Sequence, residues 1–189
     1  MKCLNILGIV GSVQKSSYNR SAHKGAQELV PDGVVLTLIE LQDIPIFDQD
    51  SETNPPASVM KCKRQILAAN AILFATPEYN YSVPSVLKNT IDWASRPHSD
   101  NAWVGKPAAI MGVSEGGSGT ARAKYHLRQI LVALNMPVVN KPEVMIGNAE
   151  QRVGLDGRLT DETTRQLIRK VLVALVQLAT ISRGHGTTV

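Results

Sequence analysis

Short apolar runs alternate along the chain with longer segments in which apolar residues recur at helical spacing. The runs are rich in β-branched residues and nearly continuous, which is typical of strands covered on both faces. The predicted strands are residues 4–10, 34–41, 71–76, 108–114 and 143–147. The fifth is the least regular, because Pro137 and Pro142 interrupt the sequence before it.

Five intervening segments have the spacing of helices. In the fourth, four aliphatic residues recur at i, i+3, i+4 and i+7, which places them on one buried face. They are Leu127, Ile130, Leu131 and Leu134. The predicted helices are residues 19–29, 57–69, 84–95, 125–134 and 160–181. Residues from about 182 to 189 are expected to form a flexible tail.

Five strands alternating with helices predict an open parallel sheet with helices on both faces. The sequence has no internal repeat and no linker, so we expect residues 1–189 to form a single domain. Ligands of such sheets bind beyond the carboxyl ends of the strands, where the strand order reverses. The loops after strands one, three and four are therefore the places to search for function.

The first loop, GSVQKSSYNR, resembles a phosphate loop but matches neither GxxxxGK[ST] nor GxGxxG. It carries hydroxyl and amide side chains at Ser12, Gln14, Ser16, Ser17 and Asn19, and it leads into a helix. Free backbone N–H groups and the positive end of a helix suit a compact anion such as a terminal monophosphate. A serine-rich helix cap without a ligand explains the same residues.

The second loop, TPEYNYSVP, combines prolines that stiffen the backbone with tyrosines on both sides of Asn80. Such a turn suits a flat heteroaromatic ring, because its N–H and C=O groups pair with the ring edge while a tyrosine covers one face. A tyrosine packed on the following helix is the simpler alternative. The third loop, SEGGSGT, offers glycines for close approach to a ligand, for a mobile lid or for a plain connector.

Composition narrows the class of protein. Lys and Arg number 20 against 16 Asp and Glu, and the net charge of +4 comes without a block of consecutive cations, so a nucleic-acid surface is not indicated. Cys3 and Cys62 lie far apart without a CxxC pattern, which argues against a disulfide framework or zinc site. No apolar run approaches the ~18 residues of a membrane span, and a cytoplasmic location is expected.

Three stretches of the chain resemble the signature regions of the NADPH-dependent FMN reductase family, and within it the quinone and chromate reductases. They are GSVQKSSYNR, PEYNYSVPSVLKNTIDWASRP and GGSGTARAKYHLRQIL, and the resemblance spans roughly residues 4–147. It implies a flavodoxin-like fold, a tightly bound FMN, NADPH or NADH as co-substrate, and a homodimer or homotetramer.

The resemblance also implies roles for individual residues. The first loop would hold the FMN phosphate, the second would line the isoalloxazine and ribityl chain, and the third would close the remaining side. The candidate cofactor-binding residues are Ser12, Gln14, Lys15, Ser17, Tyr18, Asn19, Pro77, Glu78, Tyr79, Asn80, Tyr81, Ser114 and Gly116. The family usually has arginine where this chain has Gln14, so weaker retention of FMN is expected unless Lys15 replaces that contact.

The implied activity is transfer of a hydride from the nicotinamide to flavin N5, followed by electron transfer to quinones, chromate, azo compounds or free flavin in a ping-pong cycle. No catalytic side chain and no metal are expected, because the flavin carries the chemistry. Arg20, Arg96 and Arg122 are candidates for the 2′-phosphate of NADPH. The helix of Trp93, and a bond between Tyr125 and Glu143, are candidates for subunit contacts, although both polar residues could equally lie on a free surface.

Two other functions fit parts of the pattern. A flavodoxin-type electron carrier would also bind FMN, but such carriers are usually strongly acidic, and the pI of this chain is about 9.2. A nucleotide-binding module without redox activity would need the first loop alone, and the tyrosine-rich second loop makes it the weaker alternative.

Overall fold

A five-stranded parallel sheet forms the centre of the computed structural model, which describes residues 3–185. The strands are β1 (Leu4–Val10), β2 (Val34–Ile39), β3 (Ala71–Ala75), β4 (Ala108–Val113) and β5 (Val144–Ile146). Their order across the sheet is β2-β1-β3-β4-β5, and every neighbouring pair is parallel. This is the flavodoxin-like order, which confirms the predicted fold and places the reversal of strand order between β1 and β3.

Within residues 3–185, five α-helices connect and flank the strands. They are α1 (Tyr18–Glu28), α2 (Ala57–Ala68), α3 (Ser85–Ala94), α4 (Ala121–Ala133) and α5 (Glu162–His185). Two bounds differ clearly from the predictions, because α4 already begins at Ala121 and α5 continues to His185. The first part of the expected tail is therefore helical, and residues 186–189 lie outside the described residues. None of the described helices is long and apolar enough to cross a lipid bilayer.

The helices form two layers, one on each face of the sheet. One apolar cluster joins the strands to α1 and α5, and includes Ala22, Ile168 and Leu172. A second cluster joins the opposite face to α2, α3 and α4, and includes Ile66 and Leu87. Because both faces are covered, β3 is buried along its whole length. Burial of each such large side chain contributes about 1.5–3 kcal/mol.

A close contact between β1 and α1 fixes where the first loop enters its helix. A Cβ on Gly8 would lie 1.8 Å from Nε2 of His23, so only glycine fits at this position. His23 itself is fully buried in α1. The helix therefore lies tightly against β1, and its N-terminus sits directly beyond the carboxyl end of that strand.

Candidate functional site

Residues from the loops after β1, β3 and β4 line one cavity of about 220 Å³ at the carboxyl edge of the sheet. Most of the predicted cofactor-binding residues are among them: Ser12, Gln14, Ser17, Tyr18, Asn19, Pro77, Glu78, Tyr79 and Ser114. The remaining four do not line this cavity, and of these Lys15 lines a larger one beside it. Two lining residues, Val113 and Glu115, were missed by sequence reasoning. Glu115 could have been found, because it follows Ser114 in the third loop.

The first loop presents backbone donors that the protein itself does not use. The N–H groups of six residues have no acceptor among residues 3–185, and these are Ser12, Val13, Lys15, Ser16, Tyr18 and Asn19. Ser17 is the N-cap of α1, but its side chain makes no capping bond although the residue is 94% buried. Backbone N–H groups without a protein acceptor need water or a ligand to satisfy them. A phosphate at this helix N-terminus would satisfy several of them at once, so the donor set fits the terminal phosphate of FMN.

Asn19 ties the first loop to the end of β4. Its Nδ2 donates to the Val113 carbonyl at 2.9 Å, and its Oδ1 accepts from the Val113 N–H at 3.0 Å. The residue is 98% buried. Since both ends of the amide are engaged, Asn19 can offer a ligand its backbone N–H, while its side chain holds two walls of the cavity together.

Glu78 has a structural role that its predicted place beside the flavin did not suggest. Its carboxylate accepts from the backbone N–H groups of Arg122 and Ala123, at 3.0 and 3.1 Å, and from the Arg122 side chain at 2.6 Å. Burial alone would raise the pKa of Glu78, but these bonds outweigh it and lower that pKa below its usual value. Thr120 precedes α4 with φ of 64° and makes no side-chain cap, so Glu78 caps the helix from the second loop.

The segment from Tyr79 to Ser82 forms a tight two-residue turn. Tyr79 and Ser82 exchange two backbone hydrogen bonds of 3.0 Å, and φ is 50° at Asn80 and 68° at Tyr81. The left-handed region favours glycine, so this turn stores strain of roughly 1–3 kcal/mol per residue. The Arg122 guanidinium lies 3.9 Å from the centre of the Tyr81 ring and stabilises the turn by a cation–π contact.

The third loop is fixed by contacts between backbones. The Ser114 N–H donates to the Ile146 carbonyl at 2.9 Å, and the Ser114 hydroxyl donates to the Gly116 carbonyl at 2.9 Å. A Cβ on Gly147 would lie 2.6 Å from the Gly117 carbonyl oxygen, and one on Gly119 would lie 2.5 Å from Met145. The glycines of the third loop therefore allow close approach between backbones, as the sequence suggested. What they approach in this structure is the end of β5.

The candidate arginines are mostly engaged within the chain. Arg20 forms a bidentate pair with Glu40, with both distances 2.8 Å, and Arg122 is held by Glu78. Arg96 follows α3 and therefore lies at the opposite edge of the sheet, so its expected place near the site is wrong.

The candidate subunit contacts are also internal. Tyr125 donates to Glu143 at 3.3 Å within one chain. Trp93 is 97% buried, and its indole N–H donates to the Pro45 carbonyl. These contacts stabilise the single chain and leave the expected dimer or tetramer as a prediction.

The fold and the site together define the class of protein: a flavodoxin-like domain whose switch-point loops present unpaired N–H donors at a helix N-terminus beside a tyrosine-bearing turn. Comparison with known proteins agrees with this. The family model described as NADPH-dependent FMN reductase matches residues 4–151. An NAD(P)H-dependent FMN reductase of Pseudomonas aeruginosa is 50% identical over 173 residues, covering 91% of this chain and 93% of that one.

Two further relatives extend the comparison. A quinone reductase of Pseudomonas putida is 42% identical over 156 residues, covering 82% of this chain and 84% of its own. The solved structure of a flavoenzyme NAD(P)H:(acceptor) oxidoreductase from Paracoccus denitrificans superposes with a TM-score of 0.87 at 34% identity. The match covers 95% of this chain and 98% of that one. The chain therefore belongs to the NADPH-dependent FMN reductase family. It is an oxidoreductase that works with FMN and NAD(P)H.

Proposed function

We propose that this protein is an FMN-dependent NAD(P)H:quinone oxidoreductase that reduces its substrates by a ping-pong cycle. When bound, FMN would supply the redox chemistry by taking up a hydride at N5 from the nicotinamide and then passing electrons to the acceptor. Quinones are the primary acceptors proposed, because relatives that match most of the chain are named quinone reductases. Chromate, azo compounds and free flavin are further candidates.

The observation that carries the proposal is the set of N–H groups in the first loop that have no acceptor among residues 3–185. Three of the residues that bear them, Ser12, Tyr18 and Asn19, line one cavity with residues of the second and third loops. In this proposal, the donors between Ser12 and Asn19 hold the phosphate at the N-terminus of α1. The backbone near Pro77 and the side chain of Ser114 flank the ribityl chain and ring.

The turn at Asn80 and Tyr81 is held by Arg122, which lies over the Tyr81 ring and is itself paired with Glu78. Tyr79, at the start of this turn, can therefore present a preformed wall to the ring. Preformed donors near a group that gains negative charge stabilise it without reorganisation. No side chain has to give or take a proton in this scheme, and the protein binds, orients and tunes the cofactor.

The test uses the purified holoenzyme. NADPH, and separately NADH, is added in the absence of oxygen while the visible flavin absorbance is recorded, and a benzoquinone is then supplied. We expect rapid bleaching by a nicotinamide, recovery on addition of quinone, and parallel lines in double-reciprocal plots against both substrates. Absorbance that stays unchanged until a partner reductase is added would instead identify an electron carrier.

A further inference from the structure

A second cavity, of about 720 Å³, adjoins the proposed flavin site. Residues of α1 and the loop before it form one wall, and the turn between β5 and α5 forms the other. Gln14, Tyr18 and Glu115 line both cavities, so the second cavity opens directly onto the proposed flavin site. The volume lies within the range of about 300–1,000 Å³ typical of small-molecule sites.

The α1 wall carries unused cationic and hydroxyl groups. Lys15 and Lys24 are exposed, and neither forms an ion pair within the described part of the chain. Ser21 is 92% buried, and no partner is seen for its hydroxyl between residues 3 and 185. Arg20 also lines this wall, but its charge is already balanced by Glu40. Two free ammonium groups beside a hydroxyl that lines the cavity suit a phosphorylated ligand.

The opposite wall carries carboxylates and one conspicuous apolar side chain. Glu150 and Asp156 line the cavity there, and carboxylates of this kind accept hydrogen bonds from ribose hydroxyls. Leu155 is completely exposed at the tip of the turn. A backbone bond of 2.8 Å from Gly154 to the Arg158 carbonyl holds that turn in place. Tyr18 on one wall and Leu155 on the other offer apolar surface to a flat base.

We propose that this second cavity binds the adenylate end of the nicotinamide cofactor. Lys15 and Lys24 would contact its phosphates, Glu150 and Asp156 its ribose hydroxyls, and Tyr18 and Leu155 its purine. The proposal rests on the proposed function, because it needs the nicotinamide end of the same molecule to reach the ring of the flavin bound in the adjoining cavity. It makes Lys24 and Leu155 binding residues for the cofactor that donates the hydride.

The test measures binding of ADP, which reproduces the adenylate end of NADH and, apart from the 2′-phosphate, that of NADPH. Binding to the FMN-loaded protein is measured by calorimetry in magnesium-free buffer. Lys24→Gln removes one phosphate contact and is expected to weaken ADP binding about fivefold to tenfold. Leu155→Ser removes apolar surface and is expected to weaken it by a similar factor. The matched control is Lys61→Gln, an exposed lysine of α2 on the other face of the sheet, which should leave ADP binding unchanged.

The outcomes separate this inference from the proposed function. If NADPH or NADH bleaches the flavin but ADP does not bind, or binds equally to wild type and both variants, the cavity is not the adenylate site and the proposed function stands. Loss of ADP affinity in Lys24→Gln and Leu155→Ser, with the Lys61→Gln protein unaffected, supports the inference. ADP binding of that kind without any bleaching by a nicotinamide would support a nucleotide cavity and overturn the proposed function.

Discussion

The side-chain amide of Asn19 and the backbone of Val113 form a reciprocal pair of hydrogen bonds between residues 94 positions apart. The pair is buried, and it joins the N-terminus of α1 to the end of β4. It therefore fixes the distance between the loop proposed to hold the phosphate and the loop proposed to close the far side of the flavin.

Asn19→Ala tests this link. The substitution leaves the N–H and C=O of Val113 without their partner, so we expect the free energy of unfolding to fall by about 2–4 kcal/mol. We also expect FMN affinity to fall about tenfold, because the two loops are no longer held in register. Denaturant titration of the apoprotein and fluorescence titration with FMN measure the two effects. Asn54→Ala, at an exposed asparagine whose side chain makes no hydrogen bond within the described residues, should change neither.

Gln14→Arg restores the arginine that the family usually has at this position, and so tests whether residue 14 contacts the FMN phosphate. The Gln14 side chain makes one long bond, of 3.3 Å, to the Ser16 hydroxyl on the surface, so an arginine can replace it with little loss. We expect the variant to bind FMN about fivefold to tenfold more tightly at low salt, because a charge-assisted contact replaces a neutral one. Riboflavin, which lacks the phosphate, is the matched ligand and should bind both proteins equally. Equal tightening for both flavins would show that residue 14 does not meet the phosphate.

His23 should make the stability of the apoprotein depend on pH. Burial lowers the pKa of His23 to about 4, and the nearby Thr37 carbonyl offsets this only in part. Neither ring nitrogen makes a hydrogen bond of good geometry with the described residues. In the unfolded chain the pKa returns to about 6.5, so the unfolded state takes up a proton first as the pH falls.

Stability is therefore complete above pH ~6.5 and is lost as the pH falls towards 4, by up to about 3 kcal/mol from this residue. The free energy of unfolding is measured by denaturant titration between pH 4.5 and 7.5, in wild type and in His23→Gln. The variant is expected to be less stable at pH 7.5 and to show a flatter profile. Carboxylates contribute in the same direction, and the difference between the two profiles removes their part. Parallel profiles would contradict the role assigned to His23.

The contact between Gly147 and Gly117 can be tested from both sides. A Cβ on Gly147 would press against the Gly117 carbonyl, whereas a Cβ on Gly117 would meet nothing within 4 Å. We expect Gly147→Ala to destabilise the protein by about 1–3 kcal/mol and to weaken FMN binding, since the third loop must move away from β5. Gly117→Ala should be neutral or slightly stabilising. Similar melting temperatures for the two variants would mean that the loop tolerates displacement.

Local signals were enough to predict much of this molecule. The apolar runs predicted the strands, and the alternation of strands with helices predicted the parallel sheet. Both predictions rest on local patterns, which a single sequence shows directly. The three functional loops followed from the same reasoning, since the carboxyl ends of parallel strands meet at one edge. Nine of the predicted site residues line the cavity there.

Long-range contacts explain the differences. The start of α4 was placed too late because its cap is the Glu78 carboxylate, 44 residues before Arg122 in the chain. The side chain of Asn19 was assigned to the phosphate because its partner, the Val113 backbone, has no sequence signature. The second cavity lies between α1 and the turn before α5, which are more than 120 residues apart in the sequence. No local sequence pattern indicates that these two segments are neighbours.

The central claim is that the unpaired N–H groups between Ser12 and Asn19 hold the phosphate of one FMN. Amide chemical shifts of the labelled apoprotein, followed during titration with FMN and separately with riboflavin, test it directly. The account predicts large shifts for Lys15, Ser16 and Tyr18 with FMN and small ones with riboflavin, while residues near Pro77 respond to both flavins. Equal responses of these three amides to both flavins, or responses confined to another part of the protein, would contradict it.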